Sequence, residues 1–143
     1  MPKIFTSKTQ KVGELGESIA CKYLIKNGYV VLNRNFSTRL GEIDIVAEKG
    51  NNLYFVEVKS TISDLKAIVS RGTLQNNDIL EVQPLGYNPA ENVHMKKLQK
   101  IMRVIPVYKK EKNVSWGKRD NIIILVVFID QINKLTRVEW ITP

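Results

Sequence analysis

Two acids and a lysine interrupt a pair of apolar segments in the first half of the chain. Asp44 lies within residues 42–47, where polar and apolar side chains alternate, and Glu57 and Lys59 lie within the aromatic and β-branched segment 53–59. Both segments are typical of β-strands. An Asp on one strand followed by Glu-x-Lys on the next is the arrangement that metal-assisted cleavage of a phosphodiester bond requires. These three residues are therefore the candidate catalytic set.

The turn between the two strands determines which side chains face each other. Gly50-Asn51 suits a two-residue hairpin loop, because both positions tolerate the positive φ that such loops favour. This loop pairs Lys49 with Asn52, and counting back places Asp44 opposite Glu57. A three-residue loop that also used Asn52 would instead move Asp44 out of this pairing.

The predicted register also places Glu42 opposite Lys59, so that four charged side chains share one face. Like charges directly opposite each other destabilise a sheet, and burying an unpaired carboxylate costs more. Cross-strand Cβ atoms lie roughly 4.5 to 5.5 Å apart, a spacing from which Asp44 and Glu57 can converge on one divalent cation. Oxygen ligands of this kind suit Mg²⁺. The alternative is a solvated polar face, which is the ordinary situation for charged side chains.

The two strands also carry a resemblance to a known family. Residues 41–47 (GEIDIVA) and 55–59 (FVEVK) resemble the signature of the YraN-like family of bacterial proteins. Those proteins are predicted endonucleases related to archaeal Holliday junction resolvases within the PD-(D/E)xK nuclease superfamily. The likeness is close over about residues 13–60. It implies a restriction-endonuclease-like α/β core, with a mixed central sheet of about four to five strands flanked by helices. Ser60 replaces the basic residue that often follows Glu-x-Lys in the family.

The resemblance implies a metal-dependent endonuclease that hydrolyses phosphodiester bonds in DNA, with branched or structured DNA as candidate substrates. Asp44, Glu57 and the Val58 carbonyl would hold Mg²⁺, for which Mn²⁺ can substitute, and Lys59 would orient or help deprotonate the attacking water. Because a resolvase needs paired active sites, a homodimer is expected but left open. The alternative function is a non-catalytic nucleic-acid-binding protein that retains the nuclease fold.

The first predicted helix supplies a further candidate ligand. Glu17 falls at the border of the helix's apolar stripe, whereas Glu14 points to the far side. In the resembled family the glutamate that matches Glu17 belongs to the active site, so Glu17 is expected to act as a catalytic residue and metal ligand, directly or through water. The helix ends at Asn27-Gly28. Its apolar stripe consists of Val12, Leu15, Ile19, Tyr23 and Leu24.

Two glycines lie in the first turns of this helix. Gly13 and Gly16 lower the helix propensity there. One interpretation is that the helix approaches the sheet or a phosphate closely at these positions. The other is that the start of the helix is frayed.

An excess of positive charge indicates a polyanionic partner, and we expect nucleic acid, DNA in particular. Lys and Arg number 22 against 14 acidic residues, which gives a net charge of +8 and a pI near 9.6. Nine basic residues and one acid lie between Lys96 and Arg119. The candidate phosphate contacts are Arg34, Arg39, Lys97 and Lys100, and the alternative for each is a solvated surface cation.

The remaining strands are predicted from apolar runs. Residues 29–32 form a first strand, and residues 121–129 are apolar throughout, which predicts a central strand covered on both faces. Residues 135–141 alternate in a way that suits an edge strand. The interval 61–90 is an uncertain loop or insertion, with a short strand at 79–82 and a short helix at 66–71.

A second long helix is predicted to begin at Asn88-Pro89, a capping signal. The basic residues Lys96, Lys97, Lys100 and Arg103 are predicted to lie on other faces of this helix than its apolar stripe. Trp116, which follows this helix, either stacks on an exposed base or closes the core. The predicted apolar stripe consists of Met95, Leu98, Met102 and Ile105.

The length of 143 residues predicts a single nuclease-like domain over residues 1–143. Cys21 is the only cysteine and is expected in the core of a protein from a reducing compartment. The amino terminus lacks the apolar region of a signal peptide, and the longest apolar run, 122–129, is too short to span a bilayer. We therefore expect a cytoplasmic protein with no membrane partner.

Overall fold

The structure is a computed structural model that describes residues 8–62, 79–81 and 91–142, with side chains over 10–62 and 96–142. Two helices, each about 20 residues long, flank one sheet. The helices are α1 (Lys8–Lys26) and α2 (Glu91–Glu111), and the strands are β1 (Val30–Thr38), β2 (Gly41–Lys49), β3 (Asn52–Ile62), β4 (Ile79–Glu81), β5 (Arg119–Asp130) and β6 (Leu135–Ile141).

The sheet is mixed, with the strand order β1-β2-β3-β5-β6-β4. Strands β1, β2 and β3 pair antiparallel, β3 pairs parallel with β5, and β5 pairs antiparallel with β6. The parallel pair needs a crossover connection, which contains α2. The predicted α/β class with a restriction-endonuclease-like core is confirmed. Five strands have seven residues or more, and the three-residue β4 is a sixth.

Each face of the sheet buries its own apolar cluster. On one face, Ala20, Tyr23 and Leu24 of α1 pack with residues of β2, β3, β5 and β6. On the other face, the buried side of α2 packs on β2 and β3. β5 pairs with β3 and β6 on its two sides and is largely buried, as the apolar run 121–129 predicted. Cys21 is buried in the α1 cluster, as expected, and burial raises the pKa of its thiol.

The prediction that β6 is an edge strand was wrong. Ile79–Glu81 forms β4, which pairs in parallel with β6 on its outer side. The alternation of charges in β6 suggested an edge, but Arg137 and Glu139 form an ion pair, and Glu139 is only 1% exposed. A paired buried charge and a solvated charge look the same in a sequence pattern.

The apolar stripe predicted for α2 was wrong at Met102, which is 60% exposed. On α1, Leu15 is also exposed, although it was assigned to the stripe. In each helix several apolar residues compete for the buried face, and the fit against the sheet selects among them. Among the α2 residues whose side chains the structure describes, the buried apolar ones are Ile101, Val104, Ile105 and Tyr108.

Several predictions concern the interval 61–90. Residues 61–62 extend β3, and the predicted short strand at 79–82 is confirmed as β4. The predicted helix at 66–71 and the cap at Asn88-Pro89 lie outside the described residues. Neither α1 nor α2, over the part of the chain that the structure describes, contains an apolar stretch long enough to cross a membrane.

Candidate active site

The hairpin of β2 and β3 has the predicted register near its turn, whereas the predicted pairs of Asp44 with Glu57 and of Glu42 with Lys59 lie beyond the end of the ladder. Lys49 pairs with Asn52 around a turn in which Gly50 has a φ of 58°. The ladder continues to the pair of Ile45 with Val56 and ends one position before Asp44 and Glu57. The two candidate acids therefore lie where the paired strands begin to separate.

Strand β2 changes its packing at Asp44. Ile45 packs in the cluster beneath α1, whereas Ile43 packs in the cluster beneath α2, although residues two apart in a regular strand share one face. In the neighbouring strand, Asn35 has a φ of 53° and lies between Arg34 and Phe36, which pair with Ile45 and Ile43. A non-glycine residue in this left-handed region marks a local irregularity. The sheet is thus distorted at the candidate site.

The Asp44 carboxylate is anchored to the next strand. The backbone N–H of Val58 donates to Asp44 Oδ2 over 2.8 Å. An N–H at the end of a ladder still needs an acceptor, and here a side chain supplies it. This hydrogen bond holds the Asp44 carboxylate beside the part of β3 that carries Glu57.

Four carboxylates from three elements line one open cleft of about 520 Å³. Glu17 comes from α1, Glu42 and Asp44 come from β2, and Glu57 comes from β3. Val58 and Lys97 also line this cleft, which we call the acidic cleft. The structure therefore brings together three of the four predicted catalytic residues and all four predicted metal-binding positions.

The carboxylates of the acidic cleft repel one another. Burial and the charge of Glu57 raise the pKa of Asp44 to about 7, with smaller contributions from Glu17 and Glu42. The hydrogen bond from Val58 acts in the opposite direction and favours the ionised form. Strongly perturbed carboxyl groups in a cleft are typical of functional sites.

Lys97 of α2 contacts the acidic cleft directly. Its Nζ donates to Glu57 Oε1 over 2.6 Å, and the Glu57 side chain is only 14% exposed. This hydrogen bond, opposed by partial burial, raises the pKa of Lys97. The sequence analysis treated Lys97 as a phosphate contact and missed its contact with Glu57. No local pattern could have indicated it, because the two residues are 40 positions apart.

The other predicted basic residues lie around the cleft. Lys59 is exposed on β3, two residues beyond Glu57. Arg34 Nη2 lies 4.0 Å from Glu17 Oε2. Arg39 is exposed in the turn between β1 and β2, and Lys100 lines a smaller adjoining cleft of about 360 Å³ that also includes Glu57.

Gly16 allows α1 to approach the sheet closely enough to bring Glu17 to the cleft. A Cβ atom at Gly16 would lie 2.7 Å from Ser60 Cβ and still closer to Ser60 Oγ. At Gly13 nothing lies within 4 Å of such an atom. The predicted close approach to the sheet is therefore confirmed for Gly16.

The donor chemistry of the acidic cleft fits a hard divalent cation, since carboxylate and carbonyl oxygens are the ligands that Mg²⁺ prefers. As the side chains stand, however, no three His, Cys, Asp or Glu residues in the described ranges are grouped closely enough to hold an ion. Glu57 is bound to Lys97, and Asp44 is bound to Val58. A cation would require Glu57 to release Lys97, and it would relieve the repulsion that raises the pKa of Asp44.

This chain is similar in sequence to known bacterial proteins. A model of the family described as "Uncharacterised protein family UPF0102" matches residues 16–129. A UPF0102 protein of Clostridium tetani is 35% identical over 121 residues, which cover 83% of this chain and 83% of the relative. One from Campylobacter jejuni subsp. doylei is 38% identical over 103 residues, which cover 72% of each. The family match includes Glu17, Asp44, Glu57 and Lys59.

Proposed function

The chain belongs to the uncharacterised protein family UPF0102, which is the YraN-like family, and we propose that it is a metal-dependent endonuclease that hydrolyses phosphodiester bonds in DNA. The observation that carries the proposal is the acidic cleft, where Asp44, Glu57 and Glu17 meet although they come from three separate elements. Stability alone offers no reason to crowd carboxylates until the pKa of Asp44 reaches about 7. Binding a cation that in turn binds a phosphate offers such a reason, because the cation compensates the repulsion among the carboxylates.

The proposed ligands of Mg²⁺ or Mn²⁺ are Asp44, Glu57 and the Val58 carbonyl, with Glu17 binding directly or through water. When bound, the cation neutralises charge on the phosphate and makes a coordinated water more acidic. The hydrogen bond from the Val58 N–H keeps the Asp44 carboxylate oriented toward β3 before any cation binds. Such a preorganised ligand loses little freedom on binding.

The basic residues near the cleft have separate proposed roles. Lys59 orients the attacking water or helps to remove its proton. Lys97 neutralises Glu57 in the metal-free protein, and after leaving Glu57 its ammonium group remains beside the phosphate. Arg34, Arg39 and Lys100 contact the sugar-phosphate backbone, which fixes position without reading sequence.

The proposal is tested by incubating the protein with branched, single-stranded and duplex DNA, with Mg²⁺, with Mn²⁺ and with a chelator. We expect cleavage of at least one substrate that requires the metal and is lost in Asp44→Asn and Glu57→Gln. Glu17→Gln should reduce the rate. The matched control is Glu14→Gln, which removes an exposed carboxylate from the same helix and should leave the rate unchanged.

Intact substrates under every metal condition, with DNA binding equal in the wild type and Asp44→Asn, would contradict the nuclease proposal. That result would favour the alternative of a non-catalytic DNA-binding protein. If cleavage is confined to four-way junctions, sedimentation of the protein with a junction will show whether two copies are bound, as a resolvase homodimer requires.

A further inference from the structure

Trp116, in the turn between α2 and β5, is an exposed aromatic residue on a built support. Its residue surface is 67% exposed. Its ring centroid lies 4.8 Å from Lys109 Nζ. Lys109 is only 2% exposed and donates to both carboxylate oxygens of Asp120, over 2.9 and 3.0 Å. The indole therefore lies against a fixed cation and does not close the apolar core.

Hydrogen bonds also fix the turn that carries the ring. The N–H of Val114 donates to the carbonyl of Lys109 over 2.9 Å, and the N–H of Gly117 donates to Ser115 Oγ over 3.3 Å. At the end of the turn, the N–H of Arg119 donates to the carbonyl of Asn51 over 3.0 Å. A ring held in this way loses little conformational freedom when a ligand stacks on it.

The surroundings of Trp116 are mainly basic. Lys110, Lys112 and Arg119 are exposed nearby, and a cavity of about 570 Å³ is lined by Trp116 together with Lys109 and Lys110. The acids in this region are Glu111, which is exposed, Asp120, which is bound to Lys109, and Glu48, which is bound to Lys118. This charge suits a polyanion. It opposes self-association, because a second copy would bring like charges together.

We propose that Trp116 stacks on an unpaired nucleobase of a single-stranded nucleic-acid segment, whose phosphates contact Lys110, Lys112 and Arg119. Stacking on an aromatic side chain tolerates any base, since every base has a π-face. Because Lys109 is buried against the indole, the exposed surface of the Trp116 ring remains available for the base. We call this arrangement the Trp116 platform.

The Trp116 platform is separate from the acidic cleft. Glu57 lies five residues along β3 from Asn52, which is paired with Arg119 at the platform end. Five residues of strand span about 17 Å, and the twelve residues of α2 from Lys97 to Lys109 span about 18 Å. The role of the platform as a second grip on a DNA substrate rests on the proposed nuclease function, but binding itself needs no cleavage.

The test is binding of a short oligothymidylate in the presence of a chelator, where no metal-dependent cleavage occurs. Stacking should quench the fluorescence of Trp116, and Trp116→Phe, which retains Trp140 as the only tryptophan, should lose that quenching. In an anisotropy titration, Trp116→Ala should weaken binding roughly fivefold to 150-fold, the range expected for one stacked base. Trp116→Phe should recover part of this loss.

The matched control is Ile132→Ala, which removes the most exposed large apolar side chain in the described part of the chain and lies in the turn between β5 and β6. It should leave binding unchanged, and thermal unfolding should show that every variant is folded. Equal affinity of the wild type and Trp116→Ala would overturn the proposal. So would self-association of the wild type that Trp116→Ala abolishes, because the ring would then contact a second copy. Loss of binding in Trp116→Ala, together with intact substrates when the wild type is incubated with Mg²⁺ or Mn²⁺, would support the platform and contradict the nuclease.

Discussion

At the scale of single residues, the acidic cleft is defined by carboxylates that lie close enough to repel one another. Burial and the neighbouring Glu57 raise the pKa of Asp44 to about 7, although the Val58 N–H favours its ionised form. Glu57 is balanced by Lys97. Ionisation of Asp44 therefore costs free energy in the metal-free protein.

This cost predicts a pH dependence of stability. The folded protein retains the Asp44 proton up to about pH 7, whereas the unfolded chain releases it near pH 3.8. Stability contributed by protonated Asp44 is therefore present below pH 3.8 and is lost as the pH rises to 7. Relative to Asp44→Asn, the free energy of unfolding of the metal-free wild type should fall by on the order of 4 kcal/mol across this interval.

Urea unfolding at several pH values, in the presence of a chelator, measures this difference. The Asn variant is the appropriate reference because its side-chain oxygen can still accept the hydrogen bond from Val58. Glu14→Gln serves as the control, since it removes an exposed carboxylate from α1 outside the acidic cleft. A constant difference between the wild type and Asp44→Asn from pH 4 to pH 7 would refute the crowding of carboxylates.

Lys97 predicts a competition with the metal ion. Its Nζ contacts a Glu57 oxygen that the proposed cation would use. Replacing it in Lys97→Met keeps much of the side-chain length but removes the ion pair, so Mn²⁺ should bind more tightly. Because the Lys97 side chain is 56% exposed, the ion pair contributes at most about 1 kcal/mol, which corresponds to about fivefold in affinity.

Isothermal titration with Mn²⁺ measures the effect without requiring any activity. Lys96→Met is the matched control, because Lys96 is the exposed neighbour of Lys97 on α2 and the substitution removes the same charge. If both variants change the Mn²⁺ affinity equally, Lys97 acts only through the long-range electrostatic effect of its positive charge and not through its contact with Glu57.

At the scale of secondary-structure elements, the site depends on how closely α1 lies to β3. Gly16 faces Ser60 at a distance that excludes any side chain. The next residue, Glu17, then lines the acidic cleft. With a larger residue at position 16, α1 would stand farther from β3 and would withdraw Glu17, the only predicted ligand that this helix supplies.

Gly16→Ala should destabilise the protein by about 1 to 3 kcal/mol, the usual cost of overpacking. Thermal or urea unfolding measures this loss. Ser60→Gly in the same chain should restore part of the stability, because it removes both of the Ser60 atoms that the new methyl group would contact most closely.

Gly13→Ala is the control for Gly16→Ala on the same helix. Nothing lies within 4 Å of an added Cβ there. The change should stabilise the protein by up to about 1 kcal/mol, the difference in helix propensity between Ala and Gly. Equal effects at both positions would show that α1 does not depend on a close contact at Gly16.

At the scale of the whole molecule, the positive charge is unevenly available. The net charge is +8, but Lys97, Lys109 and Lys118 are each paired with an acid from another part of the chain. The exposed basic residues in this half of the described chain include Lys100 and Arg103 on α2. Both residues lie on α2, the helix that also carries Lys97. We therefore expect the exposed side of α2 to face the DNA backbone.

The salt dependence of DNA binding tests this orientation. If Lys100 and Arg103 each contact one phosphate, replacing both with Gln should reduce the slope of log affinity against log salt by about 1.8 for duplex DNA. The control is Lys22→Gln, an exposed lysine on α1, beyond the opposite face of the sheet. A reduction of the slope by Lys22→Gln, and none by the double variant, would place the DNA on the other face.

The sequence alone was sufficient for what depends on neighbours along the chain. Gly50-Asn51 predicted the turn, and the turn predicted the register of Lys49 with Asn52, because a two-residue loop leaves one pairing. The apolar run in β5 predicted a strand buried on both faces. The motif in residues 41–59 identified the family through its resemblance.

Tertiary structure decided what depends on the distance between separate elements. The contact of Lys97 with Glu57 follows from how α2 packs on the sheet, and the position of Glu17 follows from the contact of Gly16 with Ser60. Charge alternation in β6 predicted an edge strand, although Glu139 is buried and paired. A sequence records which charges a chain carries, but only the folded structure determines which partners they have and how deeply they are buried from solvent.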